Sequence, residues 1–324
     1  MKVSNFTIVI GVLRPIISQA TIDILVGNER KARAMIYLAE SIPDTSCDLG
    51  EGALWDERNQ SFYWSDVFHG LIWSYHPESK KLNTKKFANL VSFLCKASDS
   101  GYVVATDTEV VIVNSDFSVR QRTSMNFSDP DLMTNDGGID PTGNLWAGTM
   151  SRKEVAGAGT LLRLVGTEWT TEVAATTISN GMDWSLDGRI LYFIDSPTKK
   201  ISRFAFNPET GKRGDELPSI DLSSGTGIPD GMCVDADGNL WVALWGGGEV
   251  RCFSPAGNLV NTVSLPVTHV TNCAFGGPNL TTLFITTASD SYDPRISPID
   301  PLSGSLFQVK VDTKGRAARE LMLK

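Results

Sequence analysis

One phrase recurs along this chain at intervals of 40 to 50 residues, and that spacing restricts the fold more than any other feature. Each copy is a tight turn followed by an alternating aromatic and aliphatic run. The copies are DERNQSFYWSD (56–66), SDSGYVVATD (98–107), DPTGNLWAGTM (140–150), SLDGRILYFIDS (185–196), DADGNLWVAL (235–244) and GGPNLTTLFIT (276–286). A Gly or Asn stands in each turn where a positive φ is expected: Asn59, Gly101, Gly143, Gly188, Gly238 and Asn279. The intervals between them are 42, 42, 45, 50 and 41 residues. Asp-Gly or Ser-Gly before an alternating run is a hairpin signal. Six such units, each long enough for several short strands, predict an all-β fold, the six-bladed β-propeller. A β-sandwich does not account for six copies. An α/β barrel needs helices between its strands, and no long stretch here carries a 3.6-residue period.

The propeller is expected over 32–324 as a single domain, with 1–31 as an N-terminal extension. Closing the ring requires both chain ends in one sheet. The segment ARAMIYLAES (32–41) is therefore expected as the outer strand of the blade that contains LFQVKV (306–311). The breaks SRKEVAGAG (151–159) and SDSYDPRISPIDPLSG (289–304) are expected as rim loops, which often cover a site.

Composition narrows the partners. A net charge of −8 over 324 residues argues against nucleic acid, which needs a basic stripe, and against docking on anionic lipid. The five cysteines, Cys47, Cys95, Cys233, Cys252 and Cys273, show neither CxxC nor zinc spacing and read as small core residues in a reducing compartment. The apolar run FTIVIGVL near the N-terminus is too short to span a membrane. A weak cleavage-like Ser18-Gln19-Ala20 follows it, and a cytoplasmic protein is the expectation.

The repeat also indicates where chemistry can gather. Equivalent positions of a propeller form a ring around its central channel. Eight residues before each turn residue stand Glu51, Phe93, Asn135, Asn180, Asp230 and Thr271. Five of the six carry oxygen. Converging carboxylate and amide oxygens suit Ca²⁺, Mg²⁺ or Mn²⁺ better than a thiolate-seeking metal. Asn-Gly and Asp-Gly are also ordinary turn dipeptides, so neither Asn180-Gly181 nor Asp230-Gly231 is diagnostic alone; their shared offset is what carries weight. Asp136-Gly137 and Asp187-Gly188 read as turns, and Asp140, Asp187 and Asp237 as turn residues. His69, His76 and His269 fit no metalloprotease or serine-hydrolase pattern and read as surface or strand residues. The repeated tryptophans read as blade packing.

Taken together, LGEGALWDE, NDGGIDPTGNLWAGTM, SNGMDWSLDGRILYFIDS and IPDGMCVDADGNLWVA resemble the regucalcin (senescence marker protein)/gluconolactonase/LRE-like family from about residue 45 to 310. The resemblance implies a metal site in the central channel holding one divalent cation, with Ca²⁺, Zn²⁺, Mg²⁺ and Mn²⁺ all open. Its ligands would be Glu51, Asn180 and Asp230, and Asn135 would contact substrate and water at the metal. It implies hydrolysis of a small-molecule sugar lactone to the aldonic acid, with Asp230 as general base. Two departures stand out. The family's Arg two residues before the Asn of N-D-G is Met133 here, and the short lid offers only Glu154 as an acidic substrate contact. A non-catalytic calcium-binding propeller, which Met133 favours, and a paraoxonase-like esterase are the alternatives. The sequence leaves the oligomeric state open.

Overall fold

The computed structural model describes residues 19–26, 29–289, 291 and 299–323. In it the six copies form six sheets, the blades of a six-bladed propeller. The first blade is typical: Gly50–Asp56 lines the channel, and Ser61–Asp66, Leu71–His76 and Lys81–Lys86 follow outward in antiparallel order. The inner strands of blades two to six are Val91–Ala97, Leu132–Ile139, Ser179–Trp184, Ile228–Val234 and Val270–Gly276. Burial falls outward, as radial packing requires. Ser61–Asp66 is buried throughout, whereas Lys81–Lys86 is almost wholly exposed. Trp64, Trp146, Trp184 and Trp241 are fully buried between blades. Among the described residues no helix is long and apolar enough to cross a membrane.

The turns place the repeat with one adjustment. Positive φ occurs at the expected Gly143, Gly188 and Gly238. In the other three blades it falls one residue from the expected position, at Gln60, Ser100 and Leu280 rather than Asn59, Gly101 and Asn279. Gly101 is required for space instead, because a Cβ there would lie 2.2 Å from the Val113 carbonyl oxygen. Asp140 proves structural. It accepts the Thr142 and Asn144 amides and the Trp146 indole N–H at 2.9 Å, and Asp235 holds Trp241 in the same way.

The closure differs from the expected one. Only Glu40–Ser41 pairs with the strand Phe307–Lys310. The longer strand Glu29–Leu38 turns away and runs parallel to Leu259–Ser264 on blade five, with Gln19–Val26 beyond it. That strand passes through residue 31, where the sequence suggested that the extension ends. The physical reason is local. Blade five presents an open edge, an open edge favours pairing, and Tyr37 is buried in the cluster with Val263 and Phe307. The apolar run at 6–13 lies outside the described residues, as does half of the 289–304 loop.

Beyond Phe307–Lys310 the chain crosses the end of the channel opposite the starts of the inner strands. Along this strap the Lys314 carbonyl accepts the Ala236 amide, and the Gly315 amide donates to the Leu280 carbonyl. Arg316 and Arg319 both reach Asp183 at 2.9 Å. Glu320–Leu321 adds a short parallel strand to blade two, and the Met322 amide donates to the Gly143 carbonyl. The strap thus joins blades two to six, and Glu320 also lies 3.8 Å from Arg58 of blade one.

Candidate functional site

The inner strands enter from one mouth of the channel, and near their starts every one is irregular. In blades three, four and five two residues face one on the partner strand: Asn135 with Asp136, Asn180 with Gly181, and Asp230 with Gly231. A bulge of this kind re-aims side chains that a regular ladder would send to the sheet faces. It needs glycine because the strands crowd one another. A Cβ on Gly181 would lie 2.6 Å from the Asp230 carbonyl oxygen, and one on Gly231 would lie 2.2 Å from Asn272 Cγ.

Glu51, Asn135, Asn180 and Asp230 are brought to this level of the channel. Glu51 accepts the Asn272 side-chain amide at 3.3 Å. The Asn180 amide donates to Ser196 Oγ at 3.1 Å, and the Asn135 amide to the Ser179 carbonyl at 3.1 Å. Both side-chain carbonyls are thereby held in fixed orientations. The buried Asp230 Oδ1 has no hydrogen-bond partner.

Electrostatics link the carboxylates. Burial pushes the Glu51 carboxyl well above its ordinary range, and the negative charges of Asp230 and Asp136 push it further. Asp230 is raised by burial and by Asp136, partly offset by the Asn180 amide. Asp136 is itself raised by burial to about 6. Like charges confined together in a low-dielectric channel cannot all ionise cheaply.

Two ring positions differ from the expectation. Thr271 turns its hydroxyl into the protein, toward the Gly50 carbonyl at 2.5 Å and Thr286 Oγ1 at 2.8 Å, and the next residue, Asn272, supplies the oxygen and nitrogen near Glu51. Phe93 plugs one side of the channel against Gly52 and Gly137. Asp136 was expected in a turn and is instead buried in the bulge. The signal for it is the doubled glycine of NDGG, which marks close backbone approach rather than a reversal. His269, expected on the surface or a strand, is buried near the mouth and lies against Trp245 with ring centroids 4.3 Å apart. Met133 is buried beside Val67, Leu90 and Met150. Glu154 is exposed in the turn that follows Ser151. Substituting Gly137 by Ala would drive a methyl to 2.2 Å from the Phe93 ring. Gly137→Ala is therefore expected to cost about 1–3 kcal/mol, read as a lowered denaturant midpoint at unchanged slope.

On the far side of this ring a cavity of 380 Å³ occupies the rest of the channel. Phe93, Asp136, Met232 and Cys273 line it, and Arg316 and Arg319 of the strap close it. All five cysteines are free, and burial raises the Cys47, Cys95 and Cys252 thiols, consistent with their reading as packing residues.

The donor set suits a divalent cation. Two buried carboxylates repel each other, one has an orphaned oxygen, and a fixed amide stands beside them; a bound cation would relieve the first and satisfy the second. Among the described residues no three His, Cys, Asp or Glu side chains form a metal cluster, and the third donor of this set is the amide of Asn180. A six-bladed propeller with carboxylate and amide side chains gathered at one mouth defines a class of channel-site proteins. Residues 49–289 match the model of the SMP-30/Gluconolactonase/LRE-like region, and the chain belongs to that family. It is 34% identical over 278 residues to YvrE of Bacillus subtilis (strain 168), provisionally named a sugar lactone lactonase, covering 84% of this chain and 94% of that one. It is 32% identical to regucalcin of Xenopus laevis over 279 residues, covering 83% and 93%. The structure of the calcium-binding protein regucalcin from Agrobacterium tumefaciens superposes with a TM-score of 0.82 at 27% identity, covering 89% of this chain and 99% of that one.

Proposed function

We propose that the protein is a divalent-metal-dependent hydrolase that opens a sugar lactone to the aldonic acid. The observation that carries the reading is the buried Asp230 carboxylate, with Oδ1 unpartnered beside Glu51 and Asn180. Glu51, Asn180 and Asp230 would hold the cation. When bound, it supplies polarisation of the lactone carbonyl and acidification of water at neutral pH.

The protein's own groups do the rest. Asn135, fixed by its bond to the Ser179 carbonyl, orients a substrate hydroxyl or the attacking water. Asp230 takes the proton from that water as it attacks the carbonyl carbon. The bond from that carbon to the ring oxygen breaks, and the ring oxygen leaves as an alcohol bearing the returned proton. The acid formed ionises, so each turnover releases one proton, which makes pH-stat titration a direct assay. Family membership and the similarity to YvrE support this reading.

A calcium-binding propeller without turnover is the second reading, favoured by the similarity to regucalcin. Both expect a divalent cation to raise the melting temperature of chelator-treated protein, by about 2.7 kcal/mol of added stability at a hundredfold excess over Kd. Acid release from lactones separates them. A cation that left the melting temperature unchanged would contradict both.

A further inference from the structure

We propose that the substrate is a deoxy-aldonolactone, whose end distant from the carbonyl is a hydrocarbon group rather than a hydroxymethyl or carboxylate. This rests on the lactonase reading above and narrows it.

Residues two apart on a strand point the same way. Two positions before the four residues gathered at the channel, Glu51, Asn135, Asn180 and Asp230, stand Leu49, Met133, Ile178 and Ile228. Because the inner strands start at the mouth, this set is a second tier, one step nearer to entering substrate. All four of its members are apolar. On one side the tier is contiguous: Leu49 and Met133 share a cluster with Leu90 and Met150, and the Met150 backbone forms an antiparallel bridge with that of Ile178. The loop after Ser61–Asp66 fixes this wall, because the Val67 amide donates to the Leu49 carbonyl and the Val67 carbonyl accepts the Val91 amide. Leu49, Met150, Ile178 and Ile228 are only half-buried, so part of each apolar residue stays open to solvent at this end of the blades.

Among the described residues, the cations of the adjoining Ser151 turn are already engaged. Arg152 is bound to Asp107 and Lys153 to Asp131, and a ring nitrogen of His69 is hydrogen-bonded with Asp66. A hydroxyl or carboxylate pressed against the Leu49–Met133–Met150 wall would give up its water and gain no partner. A methyl there is favoured by its burial. Ring hydroxyls still have Asn135, Glu51 and Asn272 to meet lower in the channel.

Matched pairs test this. Galactonolactone is compared with 6-deoxygalactonolactone, and mannonolactone with 6-deoxymannonolactone, by acid release with a divalent cation present. The deoxy member of each pair is expected to show the higher kcat/KM, by about 10- to 100-fold. Met133→Arg, which adds a donor fork to the wall, is expected to cancel or reverse that preference in protein that still melts cooperatively. Should Met133→Arg not fold, Met150→Gln at the half-buried edge is expected to shrink the preference. Turnover with equal or better use of the hydroxylated member overturns this inference alone, as does a folded variant with unchanged preference. No turnover of any lactone removes the lactonase reading and this inference with it.

Discussion

Replacing Asp230 with Asn is expected to lower lactone opening by about 10²- to 10⁴-fold, the usual contribution of a positioned general base, while leaving the fold intact. It is also expected to raise the melting temperature of metal-free protein. Asp230 is buried beside Glu51 and Asp136, and burial and charge repulsion disfavour its ionised form. An amide of the same shape removes that repulsion and keeps the packing. The two readouts therefore move in opposite directions, which simple structural damage would not produce. Acid-release rates and calorimetry on chelator-treated protein measure them. A variant that kept full activity would remove Asp230 from the chemistry, and one that lost stability would remove the repulsion argument.

The second large effect lies at the other end of the channel. Asp183 accepts Arg316 and Arg319 at 2.9 Å, along with the Val234 amide at 2.8 Å. Asp183→Ala would leave two guanidinium groups facing each other over a cavity. Breaking a buried pair by removing one partner costs about 3–5 kcal/mol. Because the arginines keep some solvent access, with side chains 21% and 26% exposed, the lower end of that range is expected. The two arginines hold the Asp183 carboxyl below its ordinary value of 3.8, against the opposing effect of burial. The sign follows directly. A carboxylate depressed in the folded state stabilises the protein above its unfolded value, and that contribution fades as pH falls through the folded value. Wild type should therefore lose stability more steeply than Asp183→Ala below about pH 4. Parallel acid-denaturation slopes for the two proteins would contradict the assignment.

The blades were legible because their signals are local. A turn residue, an alternating run and a fixed interval each depend on neighbours in sequence, and six copies remove the ambiguity of any one. Tertiary crowding set the details. Gln60, Ser100 and Leu280 carry the positive φ in the three blades without a well-placed turn glycine. The convergence of the candidate residues was legible in part for a related reason. Counting from the turns reached Glu51, Asn135, Asn180 and Asp230, which the bulges keep at one level. The same count reached Thr271 where Asn272 is the residue that meets Glu51; the positive-φ residue of blade six is Leu280, eight positions after Asn272, rather than Asn279. Asp136 was missed because Asp-Gly serves turns and bulges alike, and only the second glycine of NDGG tells the two apart. The closure and the strap depend on contacts remote in sequence, such as Arg316 with Asp183. No periodicity announces a segment that forms only a two-residue strand.

The most direct measurement is acid release from a panel of γ- and δ-lactones, run on chelator-stripped protein and again after titration with Ca²⁺, Mg²⁺, Mn²⁺ or Zn²⁺. No turnover above background is expected in the stripped protein. Recovery is expected to saturate at one cation per chain and to be absent in Glu51→Ala and Asp230→Asn. Full turnover in stripped protein, or unchanged recovery in either variant, would contradict the proposed function.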